Sequence, residues 1–214
     1  MSNAYFTIAK PANDPFLGYL PGSPERAALK EELARQAAEV VKIPLIIGGR
    51  EVWTEETIQI TMPHDHRHVI AQCCMAGEKE LKEAVDAALA ARDAWEAMPW
   101  EHRSAIFLKA ADMITGSYRK VLNASTMLGQ SKTVFQAEID IAELADFLRF
   151  GVWEAQEIFK KQPESVDGIW NRQDYRALDG FICAISPFNF TSIGGNLPTA
   201  PAIVGNVAVW KPSR

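Results

Sequence analysis

Hydrophobic and polar positions along this chain change period several times, and each change predicts an element. After an aperiodic start, Ser23-Pro24-Glu25 reads as a helix entry, with a hydroxyl at the N-cap, proline at the first position and an acid in the first turn. Leu29, Leu33, Ala37 and Val40 recur at helical spacing, and Pro44 marks the end. Leu45-Ile46-Ile47 and Glu51-Val52-Trp53 flank Gly48-Gly49 as a hairpin. Ile58, Ile60 and Met62 alternate with polar residues, predicting a half-buried strand. His64 to His68 then reads as a turn, and Val69 to Cys73 as a returning strand. Four helical periods follow. They cover Glu78 to Met98 (stripe Leu81, Val85, Ala88, Leu89, Trp95), Trp100 to Thr115 (Ile106, Phe107, Ala110, Ile114 facing in), Tyr118 to Leu128, and Lys132 to about Lys161. The last carries Ile141, Ala145, Leu148, Val152, Ala155 and Phe159 on one face and stops at Pro163.

The end of the chain is different. Phe181 to Ile185 and Val207 to Trp210 are apolar on successive residues, which suits strands covered on both faces, as in a parallel sheet. The segment between them suits a crossover helix, short or bent because of Pro198 and Pro201. Together they predict a βαβ unit, in which ligands bind past the carboxyl ends of the strands. Those ends carry Ser186-Pro187-Phe188-Asn189 and Lys211-Pro212-Ser213.

Composition narrows the class. The 214 residues are 48% hydrophobic, enough for one sizeable core, and the net charge is −5 with no basic patch, which argues against a nucleic-acid partner. No apolar run approaches the roughly 20 residues needed to span a membrane, so no membrane partner is expected. Met1-Ser2-Asn3-Ala4 begins neither a signal peptide nor an Arg-rich transit peptide. Cys73, Cys74 and Cys183 are odd in number, pointing to reduced thiols and an intracellular protein. Cys73 and Cys74 lack metal-ligand spacing, and Cys183 reads as a small buried hydrophobe in mid-strand. None of the three has the setting of a nucleophile. His64, His66 and His68 share one face if the segment is a strand, which leaves a metal reading beside that of a solvated hairpin tip, and no metal site is assigned.

Ser186-Pro187-Phe188-Asn189-Phe190-Thr191, Ile193-Gly194-Gly195-Asn196-Leu197 and Gly205-Asn206-Val207-Ala208-Val209-Trp210-Lys211-Pro212-Ser213 resemble the aldehyde dehydrogenase superfamily. Within it they resemble the branch that oxidises Δ1-pyrroline-5-carboxylate through glutamate semialdehyde. Pro21 to Arg26, Ala87 to Arg92, Phe107 to Met113 and Gln136 to Asp140 extend the likeness over most of the chain. The resemblance implies an α/β fold: N-terminal helices, then the start of a Rossmann-like parallel sheet, with an extended oligomerisation flap. It divides the chain into an extended arm over 1–22, the helical and hairpin part of the NAD-binding domain over 23–162, the flap over 163–178, and an incomplete first βαβ of the sheet over 179–214. An ordinary surface hairpin is the other reading of the flap.

The implied activity is NAD-dependent oxidation of L-glutamate γ-semialdehyde to L-glutamate in proline catabolism. In this chemistry a cysteine thiolate adds to the carbonyl and the oxyanion meets fixed donors. Asn189, a neutral amide at a strand end, is the implied catalytic residue for that contact; capping of the next helix is its other reading. Ser186, Pro187, Phe188, Lys211 and Ser213 are the implied NAD-binding residues, with Lys211 on the adenosine ribose; a snorkelling surface lysine is the alternative. Phe190 and Glu143 are implied at the substrate pocket, against an exposed helix charge for Glu143. No Gly-x-Gly-x-x-Gly occurs, so the ordinary Rossmann phosphate grip is not expected. Arg214 stands where many members of the superfamily carry an acid, which leaves the choice between NAD and NADP open.

The superfamily's nucleophilic cysteine and general base would lie beyond residue 214, so the chain is expected to be the N-terminal part of a longer enzyme and inactive alone. Its partners are then a small aldehyde and other copies of itself, in the cytoplasm or alternatively the mitochondrial matrix. Two further readings stay open: a dehydrogenase of another semialdehyde, and a non-catalytic fragment that docks on the missing half.

Overall fold

A computed structural model describes residues 6–213; the readings of Met1 to Ala4 and of Arg214 fall outside them. Residues 6–22 have no regular secondary structure and lie along the helices that follow. Helix α1 (Pro24–Ala37) starts as the sequence predicts, Ser23 Oγ accepting from the Arg26 amide at 3.4 Å. It stops at Ala37 rather than reaching Val40, because Val41–Ile43 leaves the helix to form strand β1 beside Ala71 to Cys73. The β-branched pair Val40-Val41 favours that outcome.

Strands β2 (Leu45–Ile47) and β3 (Arg50–Val52) form the expected hairpin, with Gly48 and Gly49 at φ +56° and +74°. Two successive positive φ values define a type I′ turn, which only glycine and a few polar residues tolerate. β4 (Thr57–Met62) pairs antiparallel with β5 (Asp65–Cys74), which pairs parallel with β1, giving the order β1-β5-β4. The turn is therefore shorter than the histidine pattern suggests, since Met62 already faces Asp65 across the ladder. The histidines part company: His64 Nδ1 meets Ser131 Oγ at 2.7 Å and His68 Nε2 meets the Ala37 carbonyl at 2.7 Å.

Helices α2 (Glu78–Ala97), α3 (Trp100–Thr115), α4 (Arg119–Gln130) and α5 (Val134–Phe159) follow the predicted periods within a few residues. Thr133 caps α5 with Gln136 in a reciprocal capping box. The main core joins α3 to α5 through Phe107, Ala111, Ala145, Leu148, Val152 and Ala155. A smaller one gathers Tyr19, Leu29 and Ala124. Two predicted inward stripes hold only in part: Trp95 of α2 and Phe107, Ala110 and Ile114 of α3 join the main core, and other members do not. No residue of α2 is buried, Leu81 and Leu89 included, and Ile106 of α3 is exposed. Each turns away from the elements that surround it here.

The chain ends in β6 (Ile182–Ile185), α6 (Thr191–Ile203) and β7 (Ala208–Lys211), with β6 and β7 parallel: the predicted βαβ unit. Helix α6 packs on α5, its last residue Ile203 entering the main core. Arg103 holds the same end of that packing, donating to the carbonyls of Trp95, Glu96 and Met98 at the end of α2 and to the Ile203 carbonyl of α6. A guanidinium among helix C-terminal carbonyls is favourable on charge grounds as well. The strands are covered on one face only. Ala184 and Ser186 are buried, whereas Cys183 and Ile185, on the other face, are exposed, so Cys183 is not the buried hydrophobe its context suggests. Residues 163–178 hold one isolated bridge, Val166 to Ile169, instead of a strand pair, and expose Trp170.

Candidate functional site

β6 and β7 run side by side, Ile185 opposite Lys211, and the Ser186 amide donates to the Lys211 carbonyl at 3.1 Å. Their carboxyl ends therefore share one edge. Ser186 is buried there. Its Oγ accepts from Trp210 Nε1 at 2.7 Å and donates to the Gly194 carbonyl at 3.3 Å. The hydroxyl thus ties β6, β7 and α6 together, and its hydrogen is spent within the protein. Pro187 and Phe188 are exposed, as is Lys211; Ser213 is half-buried and has a partner.

Asn189 is exposed, and its amide makes no hydrogen bond to any described residue. It does not cap α6. Phe190 occupies the N-cap and offers no side-chain acceptor. The orphan amides of Thr191 and Ser192 are met by Asp140 of α5, Oδ2 and Oδ1 each at 2.9 Å. Lys132 Nζ donates to the same Oδ2 at 2.8 Å and stands 4.1 Å over the Phe190 ring. Burial alone would raise the Asp140 pKa, but Lys132 and the Ser192 and Thr191 donors outweigh it and bring it below the ordinary value. Three residues along α5, Glu143 Oε2 accepts from the Ser192 hydroxyl at 2.9 Å. Glu143 is consequently half-buried and bonded, not a free surface charge.

A cavity of about 430 Å³ opens beside this helix start. Phe188 and Asn189 form one wall, Gln130 and Lys132 another, and Ile58 to Thr61 of β4 a third. Ser186, Pro187, Phe190, Lys211 and Ser213 do not line it. The site residues thus fall into two groups: Asn189 and Phe188 at the cavity, and Lys211 at the strand edge with Ser213 beyond it. Asp140 and Lys132 were not singled out from the sequence. The only hint was an acid within Gln136 to Asp140, since a helix cap supplied from another helix leaves no local pattern.

Asp140 also bears on how a dinucleotide can sit here. A helix N-terminus after a parallel strand is the usual seat of a pyrophosphate. In this chain a buried carboxylate already fills that seat, which agrees with the missing glycine motif. The strand edge remains open to a nucleoside, with an exposed ammonium at Lys211.

Residues 52–214 match the Aldehyde dehydrogenase family. The chain belongs to that family. Over 213 residues it is 51% identical to the Δ1-pyrroline-5-carboxylate dehydrogenase of Agaricus bisporus, a match covering 98% of this chain and 39% of that protein. It is 50% identical to the mitochondrial Δ1-pyrroline-5-carboxylate dehydrogenase of Homo sapiens, over 95% of this chain and 36% of the human one. The crystal structure of the Mycobacterium tuberculosis Δ-pyrroline-5-carboxylate dehydrogenase bound with NAD superposes with a TM-score of 0.97 at 48% identity, covering 99% of this chain and 40% of that one. The family and the α/β fold expected from the sequence are therefore both found, and the chain spans about 40% of the length of these aldehyde dehydrogenase relatives.

Proposed function

We propose that this chain contributes the oxyanion contact and part of the nucleotide seat to an NAD-dependent oxidation of L-glutamate γ-semialdehyde, formed from 1-pyrroline-5-carboxylate, to L-glutamate. One observation carries the reading. The amide of Asn189 stands just past the carboxyl end of a parallel strand, lines a cavity, and has no hydrogen-bond partner among the described residues. A neutral donor left uncommitted at a cavity wall is suited to the negative charge that develops on a carbonyl oxygen when a thiolate adds to it.

Lys211 is the group here suited to a ribose, and Phe188 to the channel beside it. Phe190, under Lys132, and Glu143, through Ser192, support the pocket from behind. NAD, when bound, accepts the two electrons released as the aldehyde carbon reaches the acid oxidation state. The attacking thiolate has no candidate among the described cysteines. Cys74 is buried, burial and its neighbour Cys74 raise the pKa of Cys73, and Cys183 lies on the face of β6 opposite Ser186. In the proposal it comes from a protein of the relatives' full length, which works as an oligomer in the cytoplasm or the mitochondrial matrix.

Steady-state kinetics of that full-length enzyme test the reading. Asn189→Ala is expected to lower kcat on the order of 100- to 1,000-fold while the affinity for NAD holds. Undiminished turnover by Asn189→Ala would overturn it.

A further inference from the structure

Asn189 has no side-chain anchor among the described residues, so its place is set by the backbone on either side. Upstream, the Ser186 amide is bonded to β7. Downstream, residues 190 to 192 all converge on one buried ion pair. The Phe190 ring lies under Lys132, and the Thr191 and Ser192 amides donate to Asp140. Asp140 is only 1% exposed and stands on α5, among the most deeply buried stretches of the chain.

We propose that Asp140, paired with Lys132, is the positioning residue for Asn189. The inference rests on the oxyanion role given to Asn189 above. Asp140 receives three N–H groups, from Thr191, Ser192 and Lys132, and two carboxylate oxygens accept all of them. Asparagine at this position keeps one acceptor oxygen and turns an NH2 toward donors, so at least one contact is lost. The start of α6 is then free to shift, and Asn189 with it. Displacement of a catalytic group by about 1 Å can cost on the order of 100-fold in rate. An oxyanion donor acts in the transition state, so the loss falls on kcat and spares KM.

The test compares Asp140→Asn, Asn189→Ala and the double variant in the full-length enzyme. Asp140→Asn is expected to lower kcat roughly 10- to 100-fold, with the KM for aldehyde and for NAD held to about twofold. In the Asn189→Ala background the same substitution is expected to cost nothing further, because a residue acting through Asn189 loses its effect once the amide is gone. Losses that multiply, or an unchanged kcat for Asp140→Asn, overturn the inference and leave the oxyanion reading standing. An unchanged kcat for Asn189→Ala overturns both. If Asp140→Asn does not fold, Lys132→Met decides, since it keeps both amide contacts and removes the cation. A smaller kcat loss that vanishes in the Asn189→Ala background supports the inference, and one that persists there overturns it.

Discussion

Glu138 is the most enclosed charge among the described residues. With no exposed surface, it takes the Arg119 guanidinium, the Asn123 amide, the Tyr19 hydroxyl at 2.8 Å and the Leu17 amide at 2.7 Å. Burial pushes its pKa up, but Arg119 and the Leu17 amide pull harder, and the net displacement is downward. Glu138→Gln leaves a buried guanidinium short of its counter-charge. Arg119 keeps Asp14 at 2.7 Å, so the loss belongs at the low end of the range for a broken buried pair, about 3 kcal/mol. A surface pair such as Lys82–Asp86 is mostly exposed and screened by solvent, and its removal is expected to leave the unfolding midpoint nearly unchanged. Urea denaturation of the two variants checks the contrast. The pH dependence follows from the same carboxylates. Folded-state pKa values of Glu138 and Asp140 lie below their unfolded values, so the stability they contribute is present above about pH 4 and is lost as pH falls through the folded values. Melting temperature is therefore expected to drop more steeply below about pH 4 in the native chain than in Glu138→Gln.

Among the elements, α6 depends most on close approach. A Cβ at Gly195 would come within 2.5 Å of Leu144 Cδ1, and Leu144 is itself buried. Gly195→Ala must displace that side chain or lift α6 from α5, at about 1–3 kcal/mol for an overpacked contact. Gly194→Ala meets nothing within 4 Å and serves as the control. Thermal unfolding distinguishes the two, and equal stability of both variants would refute a tight α5–α6 contact. This element also marks how far the sequence could be read. Strand, crossover and strand were legible because successive apolar residues and two prolines are local signals. The partner of α6's first turn was not, because Asp140 reaches it from 51 residues away. Helix boundaries failed where a sheet intervened: Val40 fits the α1 period, but the pairing of Val41 with Ala71 decides its neighbour. Which stripe faces inward also depends on what packs against it, and that is why Leu81 and Ile106 were misplaced while Phe107 and Ile141 were not.

On the scale of the whole chain, apolar surface gathers where the βαβ unit is bare. Ile185 is 62% exposed on the uncovered face, beside exposed Cys183, on strands whose outer edges have no partner among the described residues. A parallel pair of strands covered on one face is marginal by itself, since such sheets gain their stability from burial on both. Unpaired edges of this kind associate with one another. The chain of 214 residues, purified alone, is therefore expected to sediment well above its monomer mass of 23.7 kDa and to do so more strongly at higher concentration. Replacing Ile185 by lysine is expected to shift it toward the monomer, as charge on an edge opposes pairing. The same preparation tests the chemistry. With Asn189 present but no cysteine placed to attack, it is expected to give no NAD-dependent turnover of glutamate semialdehyde, whatever its state of association. Robust turnover by this chain alone would require Cys73, Cys74 or Cys183 to reach the cavity, and three cysteine-to-serine variants would show which. A monomer that binds no copy of itself would instead mean that the bare face of β6 and β7 is stable in water, contrary to what its exposed side chains imply.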